Sequence, residues 1–270
     1  ARVVSFFLLP LYTRYLSPSD YGVLEAIGIT TGIIGIVVTV SIARALGRYY
    51  YVSNDQTDRD RVLITTYVSY IATALLFLPI LLLISTPIAR LLFQSEAHGY
   101  FFKITFISLL LGALIDIGLI YLRLIKKPVI FISITITRLI LLIGFNVFFI
   151  VFLKMGIVGI LYSTLIVRIL FAVILTSAIW YRAQFSFSFM VCKDLFRFSL
   201  PIIPSRLSSS IVKQSDKYFV MFFMSIADMG IYSRSLKIGN IIHQLLTVPF
   251  NMVYIPRRFE IMNRSDASDT

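Results

Sequence analysis

One cysteine, Cys192, occurs in 270 residues, so no intrachain disulfide framework can form, and the two histidines belong to no Cys/His cluster with metal-like spacing. Charge is equally scarce: charged residues make up 14% of the chain against 58% hydrophobic ones, which excludes a soluble domain of this size. Short segments of strict apolar and polar alternation, the signature of a membrane β-barrel, do not occur. No polar insertion is long enough to hold a nucleotide-sugar domain, and the few acids within the apolar runs are scattered. That argues against a membrane-embedded glycan polymerase or glycosyltransferase, which needs a catalytic carboxylate set.

What the sequence does have is long apolar runs. A helix crosses a bilayer with roughly 20 mostly apolar residues, and the uncharged run from Val62 to Ala89 alone suffices. The runs predict an all-α integral membrane protein, a polytopic bundle of about eight transmembrane helices. They fall near residues 1–16 (truncated), 21–51, 62–89, 101–124, 128–153, 156–182, 194–224 and 229–256. The polar stretch "NDQTDRDR" joins the second to the third, and the polar tail "NRSDASDT" closes the chain. An opening Ala1 inside an apolar helix reads as the start of a fragment of a longer protein.

Lysine and arginine in the short loops orient the bundle. With the first helix running outward, twelve loop cations are cytoplasmic (Arg48, Arg59, Arg61, Arg123, Lys126, Lys127, Arg182, Lys193, Arg197, Arg257, Arg258 and Arg264). Four are outer: Arg14, Arg90, Lys103 and Lys154. Topology therefore accounts for most of the net charge of +12, and nucleic acid is not an expected partner.

Two polar corners share a pattern. In "SPSDYG" at 17–22, Ser17 is placed to cap a helix, Pro18 fits the first turn, and Asp20 completes a capping box. In "SIADMG" at 225–230, Ser225, Asp228 and Gly230 repeat Ser17, Asp20 and Gly22 at an offset of 208 residues. The register continues, since Ile33, Ile34, Thr39 and Val40 match Ile241, Ile242, Thr247 and Val248. Repeats entering the membrane in the same direction are a transporter design in which two lobes face each other across a cavity; chance similarity between two apolar helices joined by a common turn is the alternative.

With "FFLLPLYTRYLSPSDYGVLEAI" at 6–27, "ARALGRYYY" at 43–51, "MGIVGILYSTLIVR" at 155–168, "FRFSLPIIPSRLSSSIVKQSDKYFV" at 196–220 and "DMGIYSRSLKI" at 228–238, the chain resembles the polysaccharide-repeat-unit (O-antigen type) flippases of the multidrug/oligosaccharidyl-lipid/polysaccharide exporter superfamily. The resemblance implies a two-lobe fold of twelve to fourteen helices. On that pattern residues 1–182 are the N-terminal lobe, 183–193 a cytoplasmic linker, 194–256 the first two helices of the second lobe and 257–270 a cytoplasmic tail. It also implies lipid-linked oligosaccharide as cargo, for cell-surface polysaccharide such as lipopolysaccharide, in the cytoplasmic membrane of a bacterium or archaeon. Polysaccharide polymerase and assembly proteins join membrane lipids as expected partners.

Charges inside the apolar runs mark the candidate site. Arg138 and Arg168 fall near the middle of adjacent antiparallel spans, where a lipid-facing charge costs roughly 2.5–3.5 kcal/mol, so a polar interior is expected. They either line a cavity or form a structural pair with buried carbonyls or with Asp116. Arg206, Lys213 and Lys217 share a face of the seventh helix, with Asp216 able to pair with Lys213, and Pro201 and Pro204 bend the segment. A bent packing helix with snorkelling lysines is the alternative.

Arg44 and Arg48 read as lipid anchors or gate residues, as do Arg234 and Lys237. Gly28 and Gly32 form a small-xxx-small pair suited to close packing. No cofactor is expected. Proton or sodium coupling would use Asp116, Asp216 or His243, the histidine being otherwise a packing residue.

Arg138, Arg168, Arg206, Lys213 and Lys217 against Asp116 and Asp216 give a central excess of positive charge, which attracts anions. A pyrophosphate-linked saccharide moved by alternating access fits that balance. A multidrug exporter of the same superfamily, carrying organic cations, would want an acidic or aromatic cavity.

Overall fold

The computed structural model describes residues 12–40, 42–52, 55–182 and 186–239. The expected helix at 229–256 beyond residue 239, His243 and the tail at 257–270 lie outside these residues, as do residues 1–11 of the first helix. Among the described residues the regular structure is all helix, with no strand. Five helices are long and apolar enough to cross a membrane: Pro18–Val38 (α1), Gln56–Phe93 (α3), Gly99–Leu124 (α4, extended to Glu96 by a short 3-10 turn), Pro128–Val147 (α5, extended to Phe152) and Gly156–Arg182 (α6). The chain is a multi-pass membrane protein.

Three expected spans are divided. The 21–51 run is α1 followed by α2 (Ile42–Val52), separated where Thr39 Oγ1 donates back to the Gly35 carbonyl at 2.8 Å and Val40 takes a φ of 46°, a costly conformation for a β-branched residue. The 194–224 run is α7 (Phe189–Ser199) and α8 (Ile202–Phe223), divided at Pro201. Pro204 falls in the first turn of α8, where an amide hydrogen has no intrahelical acceptor, so α8 itself continues through it. The 128–153 span leaves α geometry at Phe148–Phe152, a π turn.

At 22 residues, roughly 33 Å, α8 is long enough to span a bilayer. Its four charged residues, Arg206, Lys213, Asp216 and Lys217, lower its hydropathy and set it apart from the apolar spans.

Helix α4 is central, packing against α1, α2, α3, α5 and α6. Its neighbours bury large side chains against it: Phe102, Phe106 and Leu110 with Leu81 of α3 and Leu161 of α6, then Ile115 and Leu122 with Phe171 and Leu175 of α6. Tyr67 and Tyr70 of α3 are buried and donate to the Leu114 and Leu110 carbonyls of α4 at 3.2 and 2.8 Å, so their hydroxyls remain paired in the dry interior. On the opposite face of α3, Leu75, Leu76 and Leu83 are exposed, as expected of a helix whose solvent is lipid.

The amphipathic α7 docks at the end where the cationic loops gather. Leu195 is buried, Tyr49 donates to the Asp194 carbonyl at 3.3 Å, and Ser69 donates to Cys192 Sγ at 3.1 Å. It begins inside the segment expected to be a linker.

Gly28 and Gly32 do not make the expected close packing: among the described residues no atom lies within 4 Å of a Cβ built at either. Close approach in α1 occurs instead at Gly35, against Leu109, and at Gly22.

Candidate functional site: a cationic cavity and a polar seam

Where α1 breaks, the chain turns Arg44 toward a cavity of about 450 Å³. Thr39 closes the α1 side, Tyr70 stands on α3, Asp116 and Arg123 on α4, Phe131 and Arg138 on α5, and Arg206 on α8. Among the described residues, four guanidinium groups thus face one carboxylate. Among the described residues neither Arg44 nor Arg138 forms an ion pair. Arg123 lies over the Phe131 ring at 5.3 Å, which holds its planar head at the cavity wall. The cavity runs from mid-helix positions to Arg123, at the end of α4 where the positive loops collect.

A smaller space of about 220 Å³ continues it between α1, α4 and α6, sharing Thr39, Ala113, Asp116 and Arg206 and adding Arg168. Arg168 donates to the Ser108 carbonyl of α4 at 2.6 Å and lies against Gly112, where a Cβ would meet its guanidinium at 3.2 Å. Of the two readings of Arg168, the carbonyl contact is present, made by a side chain that also lines the smaller space. Arg138 takes the other reading and lines the main space.

The α8 stripe divides along its length. Arg206 is in both spaces. Lys213 is exposed and belongs to neither. Lys217, expected as a cavity cation, instead binds Glu25 of α1 at 2.7 Å, with side chains only 13% and 14% exposed. Asp216 accepts from Tyr232 Oη at 2.8 Å rather than from Lys213. Arg48 stacks over Phe198 of the α7 segment at 4.8 Å, outside the cavity.

Glu25 is the residue that sequence reasoning missed. It stands on α1 two turns inside the bundle and also accepts from Lys237 at 3.0 Å. Lys237 donates to Tyr21 Oη at 2.7 Å, and Arg234 lies over the Tyr21 ring at 4.5 Å while donating to the Ser17 carbonyl at 3.2 Å. Lipid anchoring is therefore not the role of Arg234 or Lys237 here. A count of acids within the spans would have revealed Glu25, a lone carboxylate in an apolar run.

The first polar corner forms the full capping box that the sequence predicts, and the second repeats its side-chain cap. Asp20 N donates to Ser17 Oγ at 3.1 Å while Ser17 N donates to the Asp20 carboxylate at 3.1 Å; Asp228 N donates to Ser225 Oγ at 3.0 Å.

The fold is similar to a solved structure described as the inward-facing conformation of a multidrug resistance MATE family transporter of the MOP superfamily, with a TM-score of 0.68 at 16% identity. That similarity covers 91% of this chain and 59% of the other, so the chain spans about three fifths of the solved protein. No curated protein matches the sequence. The family described as "Polysaccharide biosynthesis protein" matches residues 11–267, and the chain belongs to that family.

Proposed function

We propose that the protein is a membrane transporter that flips a polyprenyl-pyrophosphate-linked oligosaccharide from the cytoplasmic to the outer leaflet of a bacterial or archaeal cytoplasmic membrane, by alternating access, for cell-surface polysaccharide assembly. The observation that carries this reading is the cavity whose described lining sets Arg44, Arg123, Arg138 and Arg206 against one carboxylate, Asp116. In a medium of low dielectric such an excess attracts a polyanion, and guanidinium forks suit phosphate oxygens in a bidentate geometry.

The cargo's parts sort themselves by solvent. Pyrophosphate takes the cationic wall, the sugars the wet space beside it, and the prenyl chain stays in lipid. Membership of a polysaccharide biosynthesis family supports the saccharide. Polymerase and assembly proteins are the partners this role entails, and Asp116 and Asp216 the described candidates for ion coupling. A multidrug exporter with an organic-cation cargo is disfavoured by the sign of the cavity, and a polymerase or glycosyltransferase by the scattered acids.

The test is export in cells carrying Arg44→Gln or Arg138→Gln, with membrane abundance measured alongside. Lipid-linked saccharide accumulating inside at normal abundance supports the reading. Normal surface polysaccharide with both variants removes it.

A further inference from the structure

Gly22 and Gly230 stand 208 residues apart, and so do Pro18 and Ile226. A Cβ added at Gly22 would run into the Ile226 carbonyl oxygen, and one added at Gly230 would run into the Pro18 carbonyl oxygen. Each corner therefore sets its glycine against the first helical turn of the other. Residue i touches residue j and the counterpart of j touches the counterpart of i, which is the pattern of a contact made around a local two-fold axis. The duplicated motif is thus an interface between the two repeats as well as two separate helix caps.

Around this contact Ala26 and Ile29 of α1 are buried against Met221 and Met229, and polar groups cross the same seam. Lys217 of α8 and Lys237 of the 226–239 segment converge on Glu25 of α1; Lys237 and Arg234 cover Tyr21; and Thr30 Oγ1 pairs with Tyr218 Oη at 2.6 Å. Every one of these contacts joins α1 to the second repeat, on the side opposite the cationic loops. The apolar cluster alone would join the helices with no charge to bury. A buried carboxylate neutralised by two ammonium groups holds only while the helices touch, and its groups are soluble once water enters.

We propose that the paired corners and the Glu25–Lys217–Lys237 cluster form a lock that closes the outer side of the cavity and must open once in each transport cycle. The proposal rests on the transporter reading, and the experiment separates the two.

A reporter cysteine at Gly32, in a Cys192→Ser background, lies seven residues below Glu25 on α1, about 10 Å along the helix, and lines the smaller space beside Arg168 and Arg206. Its Cβ meets nothing within 4 Å, so the parent geometry is kept. In the full-length protein in its membrane, an impermeant thiol reagent should label it from the cytoplasmic side and only slowly from outside.

Glu25→Gln leaves two ammonium groups without their carboxylate, and Gly22→Ala drives the corners apart sterically. Each should raise the outside rate by about tenfold or more. Glu25→Lys combined with Lys217→Glu should bring it back toward the parent. Retained labelling from inside identifies a folded variant, and Lys237→Gln replaces Glu25→Gln if the latter does not insert.

An outside rate unchanged by both the charge and the glycine substitutions, or already fast in the parent, overturns the lock. Neither result touches the cargo assignment, which is read by export in the arginine variants.

Discussion

Removing one charge of each sign from the cavity should move anion affinity in opposite directions. Arg138→Gln takes one of four guanidinium groups from the wall, keeping polarity and approximate length. Asp116→Asn removes the opposing carboxylate without changing shape. A hydrogen bond to a charged group contributes about 1.5–3 kcal/mol, and a unit charge at about 6 Å with an effective dielectric of about 20 gives a similar upper figure.

Arg138→Gln should therefore weaken binding of a polyprenyl pyrophosphate to the detergent-solubilised protein by about 10- to 150-fold. Asp116→Asn should strengthen it by about fivefold, roughly 1 kcal/mol, since the carboxylate is exposed to the cavity and partly screened. Lys213→Gln, on the same protein but away from the cavity, should change affinity by less than about twofold. Raising salt from about 0.1 to about 1 M contracts the screening length from about 10 to about 3 Å and should compress all of these differences. Titration calorimetry at two salt concentrations reads them. If Asp116→Asn weakens binding as Arg138→Gln does, or if Lys213→Gln matches Arg138→Gln, the electrostatic argument for the site is wrong.

Other outcomes follow from local geometry. Arg168→Gln should lower the melting temperature in detergent, with a loss of about 1–3 kcal/mol, because the Ser108 carbonyl loses a charged donor; Arg168→Lys should restore it only in part, since the planar fork is gone. Cysteines at Ser19 and Ala227 should both react with an impermeant reagent from outside, and labelling from opposite sides would contradict the contact between the two corners. Gly118→Ala should destabilise by about 1–3 kcal/mol, as its Cβ meets Tyr67 Oη at 3.0 Å and Leu175 Cβ at 3.1 Å. Gly28→Ala, with nothing within 4 Å, should instead stabilise by about 0.5–1 kcal/mol through its helix propensity; equal melting shifts for these two would refute the packing assigned to them.

The sequence by itself determined the class of the molecule. Apolar runs of helical length admit no soluble fold, and the cap at each polar corner is local chemistry complete within four residues, so Ser17 and Ser225 each accept from the acid's amide as read, with the full reciprocal box at Ser17. Arg138 was legible for the same reason: a charge at mid-span needs a polar interior whatever its neighbours.

Tertiary structure decided which charges meet. Helical periodicity placed Arg206, Lys213 and Lys217 on one face, but a face does not state its partner. The same stripe touches the cavity at Arg206, open surroundings at Lys213 and Glu25 at Lys217. Likewise Gly22 and Gly28 are indistinguishable in composition, six residues apart in one helix. Only the approach of a second helix 208 residues away makes the first indispensable, because whether a missing side chain matters depends on what occupies its space, and that is a property of the assembled bundle.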